Sequence, residues 1–268
     1  MKFKHFALLV TVIAVMAGCK KDAIPEKTAQ TANLAESATP KKDTIYLVKQ
    51  MVTNQLLGPS PVTQTENFKY NANRQLTKHT VTYKSASSNF TLNYAITYNN
   101  GKVSEVNKTG TKHYPWKKLL YTYAGYTCKI VYVYPESRDS ITIYLGKDTL
   151  AKKVQGNFAY YLLDYDGKRN ITKRTQYDNG KPANPTGTTV YTYDNKRSPF
   201  WSLRDNVYIL TQAFNDLNTH NNNRVSNNLF ELYNHTYNTA GYPTQTVVVH
   251  SSVAIRKIDY TYTKVAVN

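Results

Sequence analysis

The sequence predicts an all-β fold, an antiparallel meander of repeated hairpins in a twisted sheet free to curl toward a barrel or spiral, with one short helical insertion. Three observations carry that expectation. Tyrosine is the compositional outlier, with 24 copies against 8 Phe and 2 Trp, and aromatic and β-branched residues suit a pleated, half-buried surface. Tyr-x-Tyr returns at Tyr121 and Tyr123, Tyr132 and Tyr134, Tyr191 and Tyr193, and Tyr260 and Tyr262; a period of two puts both rings of a pair on one strand face. Strands ending in Tyr are followed by Asx and then Gly or Asn, as in Tyr70-Asn71-Ala72-Asn73, Tyr98-Asn99-Asn100-Gly101, Tyr177-Asp178-Asn179-Gly180 and Tyr237-Asn238-Thr239-Ala240-Gly241. Those residues reach left-handed backbone conformations cheaply, which is turn chemistry.

The chain opens with Lys2 and Lys4 before an apolar run from Phe6 to Met16, then Ala17, Gly18 and Cys19. The run is too short to span a bilayer and reads as a cleaved secretory signal. Met16-Ala17-Gly18-Cys19 resembles a bacterial lipoprotein box, which implies acylation of Cys19, including palmitate-type chains, and attachment to a membrane through them. Lys20, rather than Asp, after the Cys resembles the outer-membrane sorting pattern of Gram-negative bacteria, on the periplasmic or the cell-surface face. Residues 1–18 are thus expected to be a signal peptide. Residues 19–44, rich in Lys, Ala, Thr, Glu and Pro without an aromatic ring, read as a lipid-anchored flexible tether.

Residues 45–268 read as a single all-β repeat domain. Ile45 to Val52 forms a plausible first strand, and the clearest hairpin runs from Leu162 to Arg174, with Asp166 and Gly167 expected to provide the positive φ values of a two-residue turn. The clearer copies recur about every 20 to 28 residues, the length of a hairpin and its connection, which suggests about fourteen strands. Tyr165-Asp166-Gly167, Tyr177-Asp178-Asn179-Gly180 and Tyr193-Asp194 resemble the YD-repeat family, and more closely the uncharacterised secreted lipoproteins that carry degenerate YD-like copies. The resemblance spans roughly Thr65 to Thr263, implies the fold, and brings no catalytic residue.

Ser198 to Leu217 breaks the period. Phe200, Leu203, Val207, Leu210, Phe214 and Leu217 are spaced as one face of a helix, so a helical insertion is expected over 198–217. It would cover a sheet edge or barrel mouth, or present Trp201 to an envelope protein partner.

Catalytic chemistry is hard to find. His79, His113, His220, His235 and His250 have no metal-ligand spacing; Cys128 lies in an apolar strand beside Ile130, as an inert thiol would. Asp164 and Asp166 share a strand face, but Asp166 is a turn residue of the repeat. No enzyme, cofactor or metal is therefore expected, and a carbohydrate-active hydrolase would need carboxylates such as Asp164, Asp178 and Asp194 to converge. Net charge is +17, and +15 without Lys2 and Lys4. Lysines of this kind ordinarily keep strands soluble and blunt edges. They also allow a basic face lined by Tyr121, Tyr123, Tyr191, Tyr193, Tyr260, Tyr262 and Trp201, which would dock acidic polysaccharide or lipopolysaccharide, with nucleic acid the disfavoured polyanion. Asp43-Thr44-Ile45, Asp139-Ser140-Ile141 and Asp148-Thr149-Leu150 resemble acceptor triplets of a bacterial O-glycosylation system. The expected function is a lipid-anchored envelope module that binds or supports without catalysis, the alternative an accessory subunit of an envelope complex. A transmembrane barrel is disfavoured, because neither face of Leu76 to Tyr83 is apolar throughout.

Overall fold

The computed structural model describes residues 44–58, 61–110, 116–203 and 220–266. The signal peptide, Cys19, His113, the expected tether apart from Thr44, and residues 204–217 of the expected helical insertion lie outside the described residues. The first half of the sheet comprises β1 (Thr44–Gln55), β2 (Val62–Tyr70), β3 (Leu76–Lys84), β4 (Asn89–Asn99), β5 (Lys102–Gly110), β6 (Lys118–Ala124), β7 (Thr127–Val133) and β8 (Arg138–Leu145). It continues through β9 (Ala151–Gln155), β10 (Ala159–Tyr165), β11 (Ile171–Asp178), β12 (Lys181–Arg197), β13 (Asn222–Asn227), β14 (Glu231–Tyr237), β15 (Pro243–His250) and β16 (Val253–Ala266). Each strand pairs antiparallel with its neighbour in sequence, and β16 returns to pair with β1 from Thr44↔Ala266 to Gln55↔Arg256, closing a barrel. Closure removes the free edges that an open meander would leave.

The meander is as expected, while the strands number sixteen rather than about fourteen. The β8–β9 hairpin shows why some were missed: Leu145 stands where β2, β10 and β14 end in Tyr, so the Tyr-Asx signature is absent there. The central hairpin also differs. Tyr165 pairs with Ile171, leaving a five-residue loop in which the positive φ belongs to Arg169 (68°) and not to Asp166 or Gly167. The cause is the Asp166 carboxylate, which accepts the backbone N–H groups of Lys168 (2.9 Å) and Asn170 (2.8 Å) and holds a wider Asx loop. Asn71 and Asn238 organise their loops in the same way, through Gln75 N–H and Tyr242 N–H. At Asn100-Gly101 the short turn is as expected, with φ of 49° and 75° between the paired residues Asn99 and Lys102.

Register sorts the residues into an inside and an outside. Leu92, Ile96, Val106, Leu119, Ile130, Ile143 and Val154 are buried in one cluster, and cross-strand pairs such as Ile96↔Val106, Val106↔Leu119 and Ile143↔Val154 keep that face continuous around the wall. The opposite face carries a polar row, Gln50↔Asn67, Asn67↔Thr80, Thr80↔Asn93 and Asn93↔Thr109, across five strands. Within it Gln50 donates to Asn67 at 2.9 Å and Thr80 to Asn93 at 3.0 Å. The outward apolar residue Leu162 stands between Lys153 and Thr175. Lipid would require the reverse arrangement, apolar outside.

The repeat tyrosines hold one end of the barrel together. Tyr70, Tyr98, Tyr165, Tyr193 and Tyr262 lie toward the ends of even-numbered strands, and each hydroxyl donates to a backbone carbonyl of the preceding strand: Val48 (2.9 Å), Leu76 (2.9 Å), Ala151 (2.7 Å), Ile171 (2.8 Å) and Pro243 (2.7 Å). Most of these rings sit at register shifts, where an extra residue turns the returning strand and sends a buried apolar side chain inward, as at Leu76 and Ile171. Burial pushes the Tyr98 hydroxyl up to about 12, which keeps it a donor at any ordinary pH.

Ser198 to Leu203 turns inward from the end of β12. Phe200 and Leu203 are buried in the core cluster, and Phe200 meets Phe68 edge-on at 5.4 Å. Of the expected helix, the described residues show a single 3₁₀ turn, Trp201–Leu203. Since the sheet has no open edge, this stretch fills the barrel rather than covering an edge.

Candidate functional site: an arginine-lined cavity inside the barrel

One sector of the interior is not filled. A cavity of about 200 Å³ is lined by β13 to β16, β1 and β2, with Phe200 beside it. Its walls include Met51, Glu66, Arg224, Tyr233, His235, Thr246, Arg256 and Tyr260. All belong to the inward register: Glu66 pairs with Met51, Met51 with Tyr260, and Thr246 with both His235 and Ile258. The exposed Gln55 at the end of β1 also lines it, so the cavity extends to the end of the barrel opposite the tyrosine turns.

The electrostatics are unbalanced. Glu66 is engaged at both oxygens, accepting from Gln64 at 2.9 Å and meeting Nε2 of buried His79 at 2.7 Å. His79 is itself stacked on Phe68 at 4.6 Å. Glu231 accepts from Tyr233 (2.5 Å) and Asn227 (2.8 Å). Partial burial opposes its ionisation, but those bonds and the nearby Arg256 and Arg224 hold its carboxyl below the usual range. Neither arginine forms an ion pair among the described residues. Arg224 lies over the Tyr191 ring at 4.5 Å, donates through Nη1 to Tyr233 at 3.4 Å and through Nη2 to Nε2 of His220 at 3.2 Å, while its Nε is buried without a partner. Arg256 makes no hydrogen bond among the described residues, and its Nε is likewise buried and unpartnered. Two guanidiniums with unused donors facing a polar cavity are suited to a carboxylate or phosphate, whose oxygens match the planar fork.

The histidines beside them are held neutral. Burial, then the charge of Arg224, push His220 well below its ordinary range; burial also lowers His235, which meets the Arg224 carbonyl at 2.7 Å through Nε2 and Thr246 at 2.8 Å through Nδ1. Burial of Tyr260 pushes its hydroxyl up to about 12, leaving a neutral donor on the cavity wall.

The aromatic residues expected to form one basic outer face lie apart and point inward. Tyr121 and Tyr123 pack in the apolar sector, with Lys102 over the Tyr123 ring at 5.0 Å. Tyr191 and Tyr193 flank His220, Tyr260 lines the cavity, and Tyr262 reaches Pro243. Trp201 is half-buried under Arg197 at 4.7 Å. Period two put each pair on one face, and that face is the inner one. Asp164, Asp178 and Asp194 do not converge: Asp164 faces outward opposite Lys173, Asp178 is at the far end of β11, and Asp194 binds Asn223 and Tyr237. Burial pushes the Cys128 thiol up to about 11, as expected for an inert thiol. Among the described residues no cluster of His, Cys, Asp and Glu suits a metal ion. The arginines escaped the sequence reading, although a signal exists: Arg256 shares the parity of Ile258, Tyr260 and Tyr262, a charge in an otherwise apolar and aromatic register.

No family model and no curated protein matches the chain. Among solved structures it is similar to a porin-like protein from Bacteroides uniformis, with 12% identity over 81% of this chain and 98% of that one and a TM-score of 0.42. It is also similar to a porin-like protein from Bacteroides vulgatus, with 13% identity over 82% of this chain and 99% of that one and a TM-score of 0.40.

Proposed function

We propose that this chain is a lipid-anchored outer-membrane protein whose barrel is a non-catalytic binding module, taking the acidic group of a small glycan or glycan terminus into the Arg224–Arg256 cavity. The carrying observation is the pair of interior guanidiniums that form no ion pair among the described residues and whose Nε atoms are buried and unpartnered, while Glu66 is consumed by Gln64 and His79. Placement at the outer membrane rests on the lipoprotein-like box at Cys19, and acylation there would be read from the mass of the mature amino terminus. Tyr260 and Phe200 offer ring faces, and Gln55, Thr53 and Gln64 offer hydroxyl partners, the mixture that a sugar carrying one acid requires.

The test is calorimetric titration of residues 42–268 with galacturonate, sugar phosphate and glucose. An acid sugar is expected to bind and glucose not. Arg256→Gln lowers affinity about 30-fold, since a hydrogen bond to a charged group contributes about 2 kcal/mol. Salt weakens interior binding far less than it would weaken a polyanion on surface lysines. Absence of heat with every acid would discard the reading. A second reading, an accessory subunit of an envelope complex, is favoured by exposed apolar residues in loops at the cavity end, Phe158 (84% exposed), Phe230 (77%) and Leu57 (53%). Phe158→Ser with Phe230→Ser would then abolish co-purification of a defined partner and leave sugar binding intact.

A further inference from the structure

We infer that the tyrosine-turn end of the barrel docks on an anionic lipid surface, leaving the cavity end free. Charge is divided unequally between the two ends. Counting the described residues of each connection with two flanking residues on either side, the tyrosine end carries nine basic side chains against three acidic ones, and the cavity end five against four. Two of the three acids of the tyrosine end are spent locally, and the third, Asp164, stands opposite Lys173 on the outer face. Asp166 accepts from the backbone of its own loop, and Asp148 pairs with Lys152 at 2.8 Å. By contrast Arg74, Lys147, Lys168 and Lys196 are exposed and form no ion pair among the described residues. They stand on four separate turns, β2–β3, β8–β9, β10–β11 and the end of β12, and so spread across that end rather than along one strand.

The occupant follows from that charge. β1 starts at Thr44 on this end, paired with Ala266, and 43 residues precede it, including the apolar run and Cys19. A net positive end complements an anionic headgroup layer, and within about 10 Å of such a layer the attraction is little screened at ordinary salt. Lysine-type charges are suited to hydrated phosphate headgroups. The inference rests on the proposed anchor only for delivery, and it is tested without it.

All sixteen strands and the described core lie within 44–266, and β1 and β16 pair with each other, so residues 42–268 carry a complete ladder and are used for the test. They are sedimented with vesicles of phosphatidylcholine alone or with about a third phosphatidylglycerol, at about 50 mM and 500 mM salt. Binding is expected only with the anionic lipid at low salt. The combined Arg74→Gln, Lys147→Gln, Lys168→Gln and Lys196→Gln variant loses about five-fold per charge, several hundred-fold in all. The control, Lys84→Gln with Lys117→Gln and Lys181→Gln at the other end, binds as the parent does. Equal loss in the control, or equal binding to both vesicles, overturns the inference; acid-sugar titration of the same variants reports separately on the cavity.

Discussion

Two sectors of one barrel interior use the same register for opposite ends. Between β4 and β9 the inner face is mostly apolar: Val106, Leu119, Ile130 and Ile143, on four adjacent strands, are fully buried in one cluster. From β13 around to β2 the same face carries Arg224, His235, Arg256 and Glu66 around an unfilled volume. The dry sector repays its ordering entropy through apolar burial, about 25 cal/mol per Å². The polar sector holds charges out of bulk water at a cost. Apolar burial is concentrated on one side, and the other encloses an unfilled polar volume.

The largest test of that contrast is a pair of truncations. Ile130→Ala, in a fully buried position facing Tyr121 and Ile141, is expected to cost about 3 kcal/mol or more because the lost contacts leave a void. Ile258→Ala, on the wall of an existing cavity, costs about 1 kcal/mol. Urea unfolding measures both, and equal losses would break the comparison. Next is acid. His220 and His235 have folded-state pKa values below the ordinary one, so the unfolded chain binds more protons below about pH 6.5 and stability falls as pH drops through that value. The slope is at most about 1.4 kcal/mol per pH unit for each residue. Unfolding midpoints at pH 7.5 and 5.5 should differ, and His220→Gln should flatten the difference; a profile that stays level would show the polar sector to be better solvated than its burial implies. The smallest effect sharpens the contrast. Tyr98→Phe in the dry sector and Tyr193→Phe on β12, at the border of the polar one, each remove a hydroxyl-to-carbonyl bond and cost about 1 kcal/mol. A zero for Tyr193 alone would mean that the stitching fails where the wall turns polar.

Much of the wall was legible in the residues. Alternation and Tyr-Asx turns specify antiparallel hairpins in sequence order, because both are local. Closure was not legible, since it depends on Val48 meeting Tyr262 across the length of the chain. Nor was the direction in which the rings point: Tyr121-Thr122-Tyr123 reads identically whether phenols or threonines face water, and only a completed cylinder decides it. Asp166 misled for a comparable reason, its side chain replacing the backbone geometry that the Asp-Gly pair suggests. The cavity was hidden because Arg224 and Arg256 are separated in sequence, and a solitary arginine in a strand is ordinarily a solvated one.

The pairing of β1 with β16 has a kinetic corollary. Until the last fourteen residues of the wall have emerged, the first strand has one neighbour and an open flank, and the half-built cylinder presents two unsatisfied borders to any other chain. Assembly thus waits on the C-terminal segment, and trimming Val253–Ala266 should yield an aggregating polypeptide rather than a smaller barrel.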